Sequence, residues 1–82
     1  MTKQEKLISR FLACPKDFSW DELTAVLKRL GFSKLQGRGS RVKFFHAESK
    51  CLIQLHKPHP GNIVKPYMIK DVIYILEERE LI

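Results

Sequence analysis

The chain has 82 residues, of which 44% are hydrophobic and 29% are charged, and its formal net charge is +6. This composition is typical of a globular protein and excludes a disordered chain, and the length predicts a single domain over residues 1–82. No apolar run approaches the roughly 18 residues of a membrane span, and Met1 to Glu5 do not begin a secretory signal. Cys14 and Cys51 fit buried thiols better than a disulfide scaffold. We therefore expect a soluble, cytoplasmic protein that does not associate with membranes.

Two helices are predicted in the first third of the chain. An apolar stripe at helical spacing over residues 3–13 predicts the first helix. Ser19 precedes Glu22 by three residues, which is the signature of a capping box at the start of the second helix. Gly31 stands where a left-handed residue is expected to end that helix. Trp20, at its start, is expected to pack against the first helix.

The remaining elements are three strands and a last helix. Alternating residues predict antiparallel strands over 32–36, 41–46 and 51–56, and the links between them contain a glycine turn at 37–40 and a four-residue loop at 47–50. A proline-rich loop over 57–66 precedes a helix from Tyr67 onward. The order α-α-β-β-β-α predicts an α+β fold with helices on one face of a three-stranded antiparallel sheet.

Basic residues are concentrated in the middle of the chain. Residues 28–70 contain ten Lys or Arg and a single acid, Glu48, for a net charge of +9, whereas residues 1–27 are neutral and residues 71–82 are acidic. A block of one sign favours a polyphosphate partner such as RNA. A basic face kept for solubility is the alternative.

Histidines at the end of the third strand are the candidates for catalysis. Antiparallel pairing is expected to bring His56 near Arg41, with His59 in the following loop. Metal-independent ribonucleases need such groups: a base for the ribose 2′-OH, an acid for the leaving 5′-oxygen and cations for the phosphorane. The alternatives are that both histidines are ordinary strand-end and loop residues, or that they bind zinc together with Cys51, which their spacing disfavours.

Cationic and aromatic residues around these histidines are predicted to bind RNA. The turn at 37–41 offers guanidinium, hydroxyl and backbone N–H groups for a phosphate, although a solvated hairpin turn is an equal alternative. Phe45 lies on the outer face of its strand, where it would stack a base unless another element covers it. The predicted RNA-binding residues are Arg38, Ser40, Arg41, Lys43, Phe45, Lys57 and Lys65. No metal ion and no cofactor is expected.

Four segments occur in an order that matches a known family. They are Leu30-Gly31-Phe32, the turn at 37–40, the strand Val42-Lys43-Phe44-Phe45-His46, and His59-Pro60-Gly61-Asn62 before the last helix. From about residue 19 to residue 78 the chain resembles the HicA toxins of bacterial toxin–antitoxin pairs, with residues 1–18 as a helical extension. The resemblance implies a double-stranded-RNA-binding-domain-like α-β-β-β-α core, metal-independent cleavage of mRNA that blocks translation, and neutralisation by a HicB antitoxin.

One position departs from the family pattern. The family's catalytic histidine follows a Gly-Ser pair, and Arg41 occupies that position here. Arginine binds phosphate, but it is a poor proton-transfer group because it stays charged at all accessible pH values. The catalytic residues expected are therefore His56 or His59, with Arg41 beside them. Two alternatives stay open: RNA binding without cleavage, and an interaction domain for an acidic protein partner.

Overall fold

Helices and strands follow each other in the predicted order. The computed structural model describes residues 3–58 and 61–82. Within them the strands form one antiparallel sheet in the order β1-β2-β3, which confirms the α+β class and the α-β-β-β-α core. No helix in these two ranges has the length and apolar character to cross a membrane. The elements are α1 (Lys3–Leu12), α2 (Trp20–Arg29), β1 (Ser33–Gln36), β2 (Arg41–His46), β3 (Cys51–His56) and α3 (Pro66–Glu78).

The start of α2 is fixed by the capping box that the sequence predicts. The Ser19 hydroxyl accepts a hydrogen bond from the Glu22 amide, and the Glu22 carboxylate accepts one from the Ser19 amide, both at 3.1 Å. Two backbone donors at the helix N-terminus are thereby satisfied. At the other end, Gly31 has a φ of +101°, the conformation expected there.

The core lies between the helices and one face of the sheet. In β2 and β3 every second side chain is buried, beginning with Val42 and Cys51. The ring of Trp20 lies 6.0 Å from that of Phe44. Trp20 therefore packs against the sheet, and its packing against the first helix stays a prediction. The buried hydrophobic residues are Phe11, Phe18, Trp20, Leu23, Val26, Leu27, Phe32, Val42, Phe44, Cys51, Ile53, Leu55, Val64, Ile69, Val72 and Leu76.

Helix α1 is joined to this core by apolar residues of one face and by one charged residue. Phe11 is fully buried, with its ring 5.8 Å from that of Phe18. The Arg10 guanidinium lies over the same Phe18 ring, binds the Asp17 carboxylate at 2.7 Å and also binds Glu22. These contacts fix α1 against the connection that leads into α2.

A backbone bridge fixes the segment before α3 to the start of α2. The Trp20 amide donates to the Asn62 carbonyl at 2.7 Å, and the Val64 amide donates to the Phe18 carbonyl at 2.8 Å. Val64 is fully buried, so its side chain anchors the same segment in the core. The beginning of α3 is thus held in one position although an irregular segment precedes it.

Replacing the cap serine is expected to destabilise the fold. Ser19→Ala removes the acceptor for the Glu22 amide and should lower the free energy of unfolding by about 1 kcal/mol. Chemical denaturation measures this loss. Ser9→Ala, an exposed serine inside α1, is the matched control and should cost nothing because alanine favours helix. An equal loss in both variants would contradict the assigned role of Ser19.

Stability is also expected to depend on the charge of Glu22. Burial alone raises the pKa of Glu22, but hydrogen bonds from the Ser19 amide and the Arg10 guanidinium outweigh it and hold the pKa below its usual value. The carboxylate therefore stabilises the fold above its unfolded pKa of about 4.3, and this contribution disappears as the pH falls through the lowered folded pKa.

We expect Glu22→Gln, which keeps a capping side chain, to be less stable than the parent at pH 7. The difference should shrink below about pH 4, where the unfolded carboxyl protonates. Denaturation midpoints measured across pH test this, with the exposed Glu77→Gln as control. A difference that does not change with pH would show that the charge of Glu22 contributes nothing.

Candidate nucleic-acid interface

The face of the sheet that points away from the core is open. Alternation along β2 and β3 places Arg41 and Lys43 outward and leaves Phe45 half-buried on the same face. The helices lie on the opposite face, where Val42 and Phe44 are buried. The register pairs the outward residues across the two strands as Arg41 with His56, Lys43 with Gln54, and Phe45 with Leu52.

Arg41 and His56 are direct neighbours at one end of this face. The Lys57 amide donates to the Ser40 carbonyl at 2.8 Å, so Ser40 and Lys57 form a hydrogen-bonded pair. In an antiparallel ladder the next pair is then of the non-hydrogen-bonded kind, in which side chains stand closest, with Cβ atoms about 4.5–5.5 Å apart. Both side chains are exposed. A guanidinium and an imidazole therefore reach the same patch of solvent, as the strand pairing predicts.

The glycine turn before Arg41 is closed by two backbone hydrogen bonds. The Gly37 amide donates to the Arg41 carbonyl at 3.0 Å, and the Arg41 amide donates to the Arg38 carbonyl at 3.1 Å. A Cβ on Gly37 would lie 2.7 Å from that carbonyl oxygen, closer than two such atoms approach. Glycine is needed at this position because the two ends of the turn touch.

Two open cavities flank the Arg41–His56 pair. One, of about 360 Å³, lies between the glycine turn and the loop after β3 and is lined by Gly39, Ser40, Lys57, Pro58 and Gly61. The other, of about 260 Å³, lies between the end of β3 and the start of α3. It is called here the β3–α3 groove and is lined by His56, Lys57, Pro58, Ile63, Lys65, Tyr67 and Met68. Lys57 contributes to both, so the two cavities form one basic surface.

Most of the predicted site residues lie at this end of the sheet. Arg38 is exposed in the glycine turn, and Lys43 lies two residues along β2 on the same face as Arg41. Phe45 is four residues from Arg41, a separation of about 13 Å. Phe45 therefore lies on the same face as Arg41 but away from the other predicted site residues. His59 lies outside the described residues. Ser40, Arg41, His56, Lys57 and Lys65 are brought together.

Cys51 and His46 lie at the opposite end of the hairpin. His56 lies five positions after Cys51 along β3, a distance of about 16 Å, so the two residues cannot ligate one zinc ion. His46 is buried, its Nδ1 accepts a hydrogen bond from the Ser49 amide at 3.2 Å, and it lies 2.9 Å from the Ser49 hydroxyl. His46 is therefore a structural residue of the hairpin loop.

Sequence reasoning missed the wall that α3 contributes to the β3–α3 groove. Tyr67 was recognised only as the first residue of the last helix, yet it lines the groove beside His56. The sequence does contain a signal for this position. Tyr67 lies off the apolar stripe through Ile69, Val72 and Leu76, which predicts that its ring faces outward. Which neighbour it would meet there depended on the fold.

The fold and this surface define a small basic α+β protein with an open, cation-lined sheet face. A sequence model of the HicA toxins of bacterial toxin–antitoxin systems matches residues 20–78. The chain therefore belongs to the HicA toxin family, as its motifs indicated, and is a toxin with an antitoxin partner. No curated protein and no solved structure gives a significant match. Helix α1 lies outside the matched span.

Adding a methyl group to Gly37 is expected to move Arg41. Gly37→Ala places a Cβ against the Arg41 carbonyl, so the turn must open and the backbone amide NMR signals of Arg41 and His56 should shift. Gly39→Asn is the control, because Gly39 has a φ of +61° with no atom within 4 Å of its Cβ position, and asparagine tolerates that conformation. Signals of Arg41 and His56 that stay in place in Gly37→Ala would contradict the close approach.

Proposed function

We propose that this toxin acts on RNA and cleaves mRNA without a metal ion, which blocks translation. One observation carries the proposal: His56 and Arg41 are adjacent on an open, basic sheet end. RNA cleavage through the ribose 2′-OH requires proton-transfer groups and a cation, and this pair supplies one of each. Membership of the HicA family supports an RNA target.

Cations around the pair hold the phosphate backbone. Arg38, Lys43, Lys57 and Lys65 are all exposed, and all stand on the open face or on the loops at its end. Lysine and arginine bind phosphates with a steep salt dependence because counterions are released. Ser40 adds a hydroxyl donor beside Lys57. Phe45, further along β2, contacts the RNA away from the reacting phosphate.

In the proposed reaction His56 acts as the general base. Its imidazole removes the proton from the 2′-OH, and the 2′-oxygen attacks the adjacent phosphorus while the bond to the 5′-oxygen breaks. Arg41 stabilises the charge on the phosphorane oxygens. The leaving 5′-oxygen takes a proton from His59 or from the protonated His56. The products are a 2′,3′-cyclic phosphate and a 5′-hydroxyl.

The antitoxin partner is proposed to be HicB-like and to cover the same face in the cytoplasm. Leu35 and Leu52 are large exposed hydrophobic residues on that face, beside the half-buried Phe45. An acidic protein that packs on these side chains would reach the cations and exclude RNA.

A second candidate function is RNA binding without cleavage. Arg41 stands where the family's catalytic histidine is expected and cannot exchange protons. In that case the surface described above holds RNA, and His56 contributes a hydrogen bond only.

Cleavage of a long single-stranded RNA in EDTA tests the proposal. We expect His56→Ala to lower the cleavage rate by about 10²- to 10⁴-fold, because general acid–base catalysis supplies about that much. RNA binding should be retained. His59→Ala identifies a second proton-transfer group, and Gln54→Ala, an exposed neighbour on β3, is the control. The cyclic phosphate should appear among the wild-type products.

Three results would contradict cleavage at His56. Intact RNA with a salt-sensitive mobility shift would establish the second candidate function. Cleavage that survives His56→Ala at the wild-type rate would remove His56 from the reaction. Absence of both binding and cleavage at physiological salt would overturn an RNA target altogether.

A further inference from the structure

We propose that the β3–α3 groove binds one unpaired RNA base, stacked on the ring of Tyr67, next to the phosphate held by Arg41 and His56. This inference rests on the proposed RNA-directed function and assigns a binding residue that family membership and sequence motifs do not. It makes the toxin selective for single-stranded RNA, because a base in a duplex must first break its pair and leave its stack, which costs free energy.

The ring of Tyr67 is available for stacking. Tyr67 is 61% exposed in the first turn of α3, on a side of the helix away from the buried residues Ile69 and Val72. Tyr67 and Met68 form the helix wall of the groove, and His56 forms the strand wall. Aromatic side chains are the usual platforms for single-stranded bases, because every base has a π-face.

The backbone that carries the Tyr67 ring is held in place before any ligand binds. The Val64 amide bonds to the Phe18 carbonyl and the Trp20 amide bonds to the Asn62 carbonyl, which pins the segment just before α3. Pro66 begins the helix and restricts the backbone next to Tyr67. A backbone that is already ordered loses little conformational freedom when RNA binds, so only the Tyr67 side chain has to be ordered by stacking.

Charge and size favour a nucleotide over other small ligands. Lys57 and Lys65 both line the groove, so the phosphates on either side of a stacked base would meet a cation. Ile63, which is 50% exposed, supplies an apolar surface beside the ring. The groove has a volume of about 260 Å³, which accommodates one base, and it shares His56, Tyr67 and Met68 with a neighbouring cavity of about 550 Å³.

The same helix provides a matched control. Tyr74 is 66% exposed and lies seven residues after Tyr67 on α3. It lines a neighbouring cavity that shares His56, Tyr67 and Met68 with the β3–α3 groove, but Tyr74 itself does not line the groove. Tyr67→Ala and Tyr74→Ala thus remove the same exposed side chain from two places on one helix. Tyr67→Phe keeps the ring and removes only the hydroxyl.

The probe is a single-stranded 2′-O-methyl RNA that contains 2-aminopurine. Methylation blocks the attacking oxygen, so binding is measured without cleavage, and 2-aminopurine fluorescence falls when the base stacks. We expect the wild type and Tyr67→Phe to bind and quench alike. Tyr67→Ala should bind roughly 5- to 150-fold more weakly and lose the quenching, because stacking on one aromatic contributes about this much. Tyr74→Ala should behave as wild type.

The outcomes separate this inference from the proposed function. If Lys57→Ala weakens binding while Tyr67→Ala matches Tyr74→Ala, RNA binding stands and the stacking site is wrong. If the wild type does not bind the probe, both are overturned. If Tyr67→Ala leaves RNA affinity unchanged but weakens binding of an acidic antitoxin, the groove belongs to the protein partner and the inference fails. Thermal melts of each variant confirm that it is folded.

Discussion

The register between β2 and β3 is the constraint on which the whole surface depends. Side chains alternate along a strand, so a shift of one residue would turn Arg41 toward the helices and expose Phe44. Phe44 and Ile53 are opposite each other and buried, which makes that shift costly. The same hydrophobic pairs that build the core therefore decide that Arg41 and His56 meet in solvent.

The hairpin loop at the far end of the two strands helps to hold that register. Lys50 adopts a left-handed conformation with a φ of +55°, and His46 is bonded to Ser49 within the loop. The His46 ring also lies 5.2 Å from that of Phe32, which ties the loop to the connection between α2 and β1. Of the two described histidines, His46 has this structural role. The other, His56, is left exposed at the end where the cations gather.

Local sequence patterns predict the helices, the strands and part of the candidate site. They do not predict contacts between residues that are distant in sequence. The spacing of Ser19 and Glu22 suffices to place the start of α2, and alternation along the strands suffices to predict Arg41 opposite His56. Three features depend instead on residues distant in sequence: the bridge that fixes Val64, the contact of Trp20 with Phe44, and the place of Tyr67 beside β3. Asn62 and Asp21, for example, are bonded across 41 residues. No periodicity encodes such a contact; only the packed core specifies it.

The proposed function makes Arg41 half of a catalytic pair rather than the mark of a lost catalytic residue. In a non-hydrogen-bonded antiparallel pair the two Cβ atoms are about 5 Å apart, so the two side chains can reach the same point in the solvent. Proton transfer and charge stabilisation are separate tasks, and either strand can carry either one. Under the proposed mechanism β3 supplies the imidazole and β2 the permanent cation. Strand register, not the identity of one residue, defines where the two groups converge, so under this mechanism a phosphate would be held at the same place whichever strand supplies the imidazole.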